Sequence, residues 1–186
     1  MRRRSVNSEL TKISTEAERF FDRYGYPEWL RTHSLLVGRI AETIVAARAD
    51  VMDQARDIAL AGYLHDIGRS PLVTGDRREH NELSALILAA EGLANSVEPA
   101  RRHAIYTVLD AATAPATLAD KIVYVADRRG GMKVESVTER ALDTARRHPR
   151  YASDIERAIP AATAVEKEVF VGLPFPPDEL EAHLIA

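Results

Sequence analysis

The sequence predicts an all-α fold, a helical bundle of about seven or eight helices in one domain. Two observations carry this. Apolar residues recur three and four positions apart through most of the chain, the period of a helix face. Gly, Pro and cap-forming residues separate those segments, and no run alternates apolar with polar residues as a half-buried strand would.

The elements follow in order. A first helix is expected from a cap at Asn7 or Ser8 to about residue 24, with Leu10, Ile13, Ala17, Phe20 and Phe21 at helical spacing. The basic start, Met1-Arg2-Arg3-Arg4-Ser5, has no apolar segment behind it and reads as a frayed, solvated end. Gly25-Tyr26-Pro27 breaks the helix, and Pro27 suits the first turn of a second one over 28–48. Leu30, Leu36, Val37, Ile40, Ile44 and Val45 give that helix a core-facing stripe, with His33 on or beside it. Asp53 caps a third helix ending near Leu64, and Pro71, Gly75 and Asp76-Arg77-Arg78 mark a loop. A fourth helix opens at His80 or Asn81 and closes at Glu91, before Gly92. A fifth is expected over 96–109 and a sixth over 117–127, ahead of Gly130-Gly131. Ser136-Val137-Thr138-Glu139 has capping-box spacing and opens a seventh over 136–148. The last long helix covers 154–171, where Pro160 predicts a kink or a later start, and 173–177 is extended.

Composition narrows the function classes. The 186 residues suit one domain that buries its own core, and 46% apolar with 28% charged residues is ordinary globular usage. A net charge of −3 supplies no global field toward nucleic acid or membrane, so neither is an expected partner. The pairs Arg77-Arg78, Arg101-Arg102, Arg128-Arg129 and Arg146-Arg147 read mostly as solvated surface. The absence of cysteine excludes disulfides, thiolate zinc sites and thiol nucleophiles, and it suits the cytoplasm, the expected location. No apolar run approaches the roughly 20 residues of a spanning helix. The expected partner is a small phosphorylated molecule; a homodimer stays open.

The chemistry centres on Leu64-His65-Asp66-Ile67-Gly68-Arg69. An imidazole and a carboxylate side by side at the end of an apolar helix can hold a divalent cation. Gly68 is read as the point where the backbone leaves the helix through left-handed torsions. His33, His80, His103 and Asp127 are the candidate partners, from four other helices or helix starts. Asp127 is the most informative, because a carboxylate closing the apolar run Ile122-Val123-Tyr124-Val125-Ala126 is costly to bury unless paired or metal-bound. Pairing with Arg128 or Arg129 is the plainer alternative for it. His148 and His183 stand in polar contexts and read as surface.

The order His33, His65-Asp66, His80, His103, Asp127 resembles the HD superfamily of metal-dependent phosphohydrolases, and Leu64-His65-Asp66-Ile67-Gly68-Arg69 resembles its HDIG core. The likeness covers about residues 28–130, and Lys121-Ile122-Val123-Tyr124-Val125-Ala126-Asp127 is similar to the segment carrying the family's final aspartate. It implies an HD-type domain over 1–186, with the metal-binding core at about 28–130 and the helices of 136–171 packed on it. It implies that His33, His65, Asp66 and Asp127 hold one cation. His80 and His103 resemble the extra histidines of the binuclear branch, where Asp66 bridges two ions. With imidazole and carboxylate donors, Fe, Mn, Co, Ni and Zn all suit such a site, and Mg suits it less.

The implied activity is hydrolysis of a phosphoester or phosphoanhydride, in a nucleotide, through a metal-activated water, with Asp66 and Arg69 as catalytic residues. A guanidinium fork at Arg69 matches a non-bridging phosphate oxygen. Arg77, Arg78 and Arg102 are lesser candidates for a polyphosphate tail. The His80 and His103 spacing resembles a small bacterial branch that includes symmetrical dinucleoside tetraphosphatases, which cut diadenosine tetraphosphate into two ADP. The chain departs from that branch at Ala104-Ile105 and at Arg128-Arg129-Gly130-Gly131, and Val134-Glu135-Ser136-Val137-Thr138-Glu139-Arg140 looks more like other small HDIG hydrolases. A non-catalytic nucleotide-binding HD module is the alternative from another class. Completeness of the proposed ligand set favours catalysis over it.

Overall fold

Helical periodicity becomes helix nearly throughout. The computed structural model describes residues 2–73 and 75–185, with side chains from residue 13 onward. Eight α-helices form among the described residues: α1 Arg2–Arg23, α2 Glu28–Ala46, α3 Ala55–Leu64, α4 His80–Ala90, α5 Ala94–Arg101, α6 Leu118–Arg129, α7 Val137–Arg147 and α8 Ala152–Phe170. Short 3-10 segments link several of them, and the described residues contain no strand, only an isolated bridge between Gly130 and Val134. No helix among them is long and apolar enough to cross a membrane.

The centre is the packing of α2, α3 and α6. Val37, Ile40, Ala41 and Ile44 of α2 meet Ile58 and Ala61 of α3 and Ile122, Val123 and Ala126 of α6 in one apolar cluster. A second cluster joins Ile13, Ala17 and Phe21 of α1 to Leu60, Tyr63 and Leu64 of α3. Each fully buried Leu or Ile contributes about 1.5–3 kcal/mol. Small residues set how closely α2 and α3 approach. A Cβ on Gly62 would stand 2.8 Å from Ala41 Cβ, and one on Gly38 would overlap the Tyr63 ring. That close crossing lets side chains one turn beyond it, His33 and His65, reach each other. On the other flank α8 packs on α6 and α7, and Ala162 and Val169 join the central cluster.

The boundaries differ from expectation where side chains intervene. The first helix starts at Arg2, so residues 2–5 are helical rather than frayed and neither Asn7 nor Ser8 caps it; Met1 and the Leu10 side chain lie outside the described residues. Asp53 falls in a 3-10 segment, Ala49–Gln54, that precedes α3. The expected helix over 96–109 is split: α5 stops at Arg101 and a 3-10 segment follows at Ile105–Leu109. The Thr107 hydroxyl lies 2.8 and 2.7 Å from the Arg102 and Ala104 carbonyls, and Arg102 donates to the Ala114 carbonyl at 2.7 Å. Those side-chain bonds compete with helical ones and hold the break open. The capping box at Ser136 and Glu139 forms as its spacing implies, and Thr117 with Asp120 makes a second one on α6. Pro160 sits inside a continuous α8, and the tail closes in a 3-10 segment, Pro177–His183.

Arg128 and Arg129 contradict the solvated reading of the arginine pairs: both are buried. Arg129 explains itself. Its guanidinium pairs with Glu166 at 3.2 Å and donates to the Pro177 carbonyl at 2.7 Å, tying the tail to α6 and α8.

Candidate metal centre

Four imidazoles converge through their Nε2 atoms at the end of α3. His33 Nε2 lies 3.1 Å from His65 Nε2, and His80 Nε2 lies 3.2 Å from His103 Nε2. Edge-on ring contacts of 5.1, 4.8 and 5.1 Å run from His33 through His65 and His103 to His80. Asp66 stands between the two pairs. Its Oδ1 faces His103 and His80 at 3.3 and 3.4 Å, and its Oδ2 faces His33 and His65, both at 3.7 Å. Asp127 Oδ1 closes the His33 and His65 side at 3.3 and 3.7 Å. All six residues expected from the sequence are therefore brought together. Five are buried, and His80 alone is partly open.

Each residue has a structural reason to be there. His33 is on α2 beyond the close crossing with α3, and Asp127 is in the last turn of α6. His65 follows α3 directly and Asp66 opens a 3-10 turn, Ile67–Arg69. His80 begins α4. His103 sits in the break after α5. Asn81 couples those last two segments: its amide donates to the Arg101 carbonyl at 2.6 Å and accepts from the Tyr106 hydroxyl at 3.1 Å. Gly68 plays a different part from the one its sequence context suggested, because its φ is not positive. It is needed for contact. A Cβ there would overlap the His80 carbonyl oxygen and stand 2.7 Å from Ser84 N. Gly68 N–H donates to Ser84 Oγ at 2.9 Å, which docks α4 onto the His-Asp turn.

The electrostatics fit a cation. The Nδ1 of His65 donates to the Gly62 carbonyl at 2.8 Å, and that of His103 to the Ala100 carbonyl at 2.5 Å. In a neutral ring this leaves a lone pair on Nε2, aimed at the carboxylates. Burial pushes His65 down to about 4 and His80 down to about 3, so both are neutral at pH 7. Burial opposes the charge on Asp66, but the Arg69 guanidinium, 2.8 Å from Oδ2, leads the groups that offset it, and the carboxyl is held well below its usual range. Burial likewise opposes charge on Asp127, which Arg128 and the His33 contact offset. Asp66 Oδ1 has no hydrogen-bond partner although two Nε2 atoms lie near it. Lone pairs facing carboxylate oxygens at 3.3–3.7 Å repel unless positive charge stands between them. The donor set answers that requirement: His33, His65 and Asp127 form one group with ligand geometry, and His65, Asp66 and His103 form another.

The chain matches the HD domain family over residues 30–132, more than half of its length. It belongs to that family. HD domains are generally metal-dependent hydrolases, and the buried His and Asp cluster of this one fits divalent metal binding. Curated proteins and solved structures yield no match.

The arginines of the HD domain divide differently from expectation. Arg69 Nε contacts Asp66 Oδ2 at 2.8 Å and its Nη2 lies 3.0 Å from His80 Nε2, so it borders the cluster. Arg77 is exposed, and Arg78 is exposed and paired with Asp76. Arg102 is engaged by Glu98 and by the carbonyls of Ala112 and Ala114. Arg128, expected either on the surface or as the plainer partner of Asp127, is buried, pairs with Asp127 Oδ2 and lies over the Tyr124 ring at 5.8 Å. The pairing with Asp127 is the one adjacency suggested; the ring contact follows from the i, i+4 spacing of Tyr124 and Arg128 on α6. Two shallow hollows lie elsewhere, one against Phe170–Pro177 residues and one between α7 and α8. Neither gathers groups able to perform hydrolysis.

Proposed function

We propose that this chain is a phosphohydrolase with a two-ion site, acting on a phosphoester or phosphoanhydride bond of a nucleotide. The supporting observation is the division of Asp66: one oxygen faces His80 and His103, the other His33 and His65. On this reading His33, His65, Asp66 and Asp127 hold one cation and His80, His103 and Asp66 the other, within a single HD-type unit spanning the chain. Bound divalent ions supply Lewis-acid charge to a phosphoryl oxygen and acidify a water. The protein's own groups do the positioning. The Gly62 and Ala100 carbonyls fix the ring faces of His65 and His103. Arg69 keeps Asp66 ionised and offers its remaining guanidinium edge to a phosphoryl oxygen; its side chain is 41% exposed and reachable by substrate. Phosphoryl transfer needs little beyond placement and charge stabilisation, so no side-chain nucleophile is required.

The test is phosphate release from nucleotides, dinucleoside polyphosphates and cyclic dinucleotides, with Mn, Fe, Co, Ni and Zn added separately to chelator-treated protein. Turnover of at least one class, abolished by chelator and restored by metal, is expected. Cleavage of diadenosine tetraphosphate to ADP would identify the symmetrical tetraphosphatase form of this activity. Metal-replete protein that binds nucleotide and turns over none of the three classes would replace the enzyme with a binding module.

A further inference from the structure

Arg140 carries a positive charge that the fold does not neutralise. It stands on α7, and its side chain passes over Gly131, where a Cβ would lie 3.4 Å from Arg140 Cδ. The Gly131 carbonyl faces His33 Nδ1 at 3.5 Å. The guanidinium is therefore on the His33 and Asp127 side of the cluster, and Asp127 and Arg128 are the charges that act on it most strongly, ahead of Arg147 and Glu135. No carboxylate is within ion-pairing distance of it among the described residues. Its Nη1 has a long contact, 3.4 Å, to Thr144 Oγ1, and its Nε is buried with no partner.

Arg128 repeats the pattern. It is 7% exposed, one end pairs with Asp127, and its Nε is also buried without a partner. Arg129 Nε is buried without a partner as well, but the rest of that guanidinium is engaged by Glu166 and the Pro177 carbonyl, whereas Arg140 has only the long Thr144 contact and Arg128 only Asp127 as hydrogen-bonding partners. Guanidinium N–H groups inside a fold are almost always satisfied, so the remaining nitrogens of Arg128 and Arg140 call for an acceptor from outside the chain. Around the cluster stand the carboxylates Asp66 and Asp127 and the guanidinium groups Arg69, Arg128 and Arg140, and the Glu135 carboxylate also lies against Gly131, without ion-pairing to Arg140. Arg69 lies at the Asp66 end, and Arg128 and Arg140 at the Asp127 end.

We propose that Arg128 and Arg140 form an anion subsite that holds a second phosphoryl group beside the one being cleaved, which makes the substrate a phosphoanhydride rather than a monophosphoester. This deepens, and rests on, the phosphohydrolase reading above. Arg140 is a positioning and specificity residue: its planar fork takes two non-bridging oxygens of the neighbouring phosphoryl group. A compound with one phosphoryl group leaves the subsite empty and gains nothing from it.

The test is calorimetric binding of methylenediphosphonate and of orthophosphate to Mn-loaded protein, with metal content measured afterwards, in wild type, Arg140→Gln and Arg140→Lys. Arg140→Gln is expected to weaken the diphosphonate at least tenfold and orthophosphate less than twofold. Arg140→Lys should recover part of the diphosphonate affinity, because it restores the charge without the fork. The Arg140→Gln thermal midpoint should equal or exceed that of wild type, since a poorly compensated charge has been removed; a merely structural arginine would lower it. Equal weakening of both anions, or of neither, overturns the subsite. Wild-type protein that binds the diphosphonate through Arg140 and hydrolyses nothing leaves the subsite standing and removes the catalytic reading alone.

Discussion

Asp66 Oδ1 stands 3.3 Å from His103 Nε2 and accepts no hydrogen bond. His103 spends its Nδ1 proton on the Ala100 carbonyl, and Arg69 leads the groups that hold Asp66 ionised against burial. A buried carboxylate oxygen left in this state costs about 1–3 kcal/mol or more. A divalent cation held between these groups would remove that cost, and the donor set fits one.

Asp66→Asn keeps the shape and removes the charge. It is expected to reduce bound metal below about 0.2 ion per chain and to lower turnover about a thousandfold, given the several kcal/mol that metal ions supply to such transition states. Metal analysis and phosphate release on the same preparation check it. Wild-type turnover in this variant would remove Asp66 from the centre of the mechanism.

The two histidine pairs give a sharper test. His80→Ala should release one ion and leave the other, because His80 and His103 share Asp66 Oδ1 while His33, His65 and Asp127 form a group away from it. His33→Ala should do the reverse and spare the ion held by His80 and His103. Stoichiometry titrated with Mn or Co separates the outcomes. Loss of both ions in both variants would argue that the cluster holds its metals as one unit and contradict the division at Asp66.

Much of this site was legible because its residues end or flank apolar runs. Asp127 after Ile122-Val123-Tyr124-Val125-Ala126 and His65-Asp66 after α3 are polar groups where only core packs, and the structure buries them. The helix count followed from periodicity for the same reason. The break after α5 was not legible: Thr107 and Arg102 hold it through bonds to carbonyls of Ala104 and Ala114, contacts that periodicity does not encode. Nor was the burial of Arg128 and Arg129, since a pair of arginines looks alike on a surface helix and at the end of one that runs through the core.

Gly68 is required by close contact and not by left-handed torsion, and that has a measurable consequence. Ala at 68 meets backbone at His80 and Ser84, groups that cannot swing aside. Overpacking of this kind costs about 1–3 kcal/mol. Relief comes by moving α4 outward, which carries His80 away from Asp66. Gly68→Ala should lower the thermal midpoint and lose the His80 ion before the other. A variant of full stability with both ions in place would show that α4 docks with slack.

Glu42 offers a test outside the metal site. It is buried on α2, accepts the Tyr63 hydroxyl at Oε2 (3.0 Å), and has no partner at Oε1. Burial raises it from 4.5 to about 7, against the smaller lowering effects of Tyr63 and Arg39. Between those two values the folded chain holds a proton that the unfolded chain has released, so this group's contribution to stability falls as pH rises through the window and levels off above about 7. One proton is worth about 1.4 kcal/mol per pH unit, which makes the full change on the order of 3 kcal/mol. Glu42→Gln keeps an acceptor for Tyr63 and abolishes the titration, while its amide N–H groups lack a partner and cost about 1–3 kcal/mol. Urea unfolding of both proteins in chelator is expected to show the variant less stable at pH 5 and equal or more stable at pH 8. Taking the difference between them cancels the histidines, which titrate alike in each. A difference that stays constant from pH 5 to pH 8 would mean that Glu42 is ionised in the folded protein throughout, and that its second oxygen has found water.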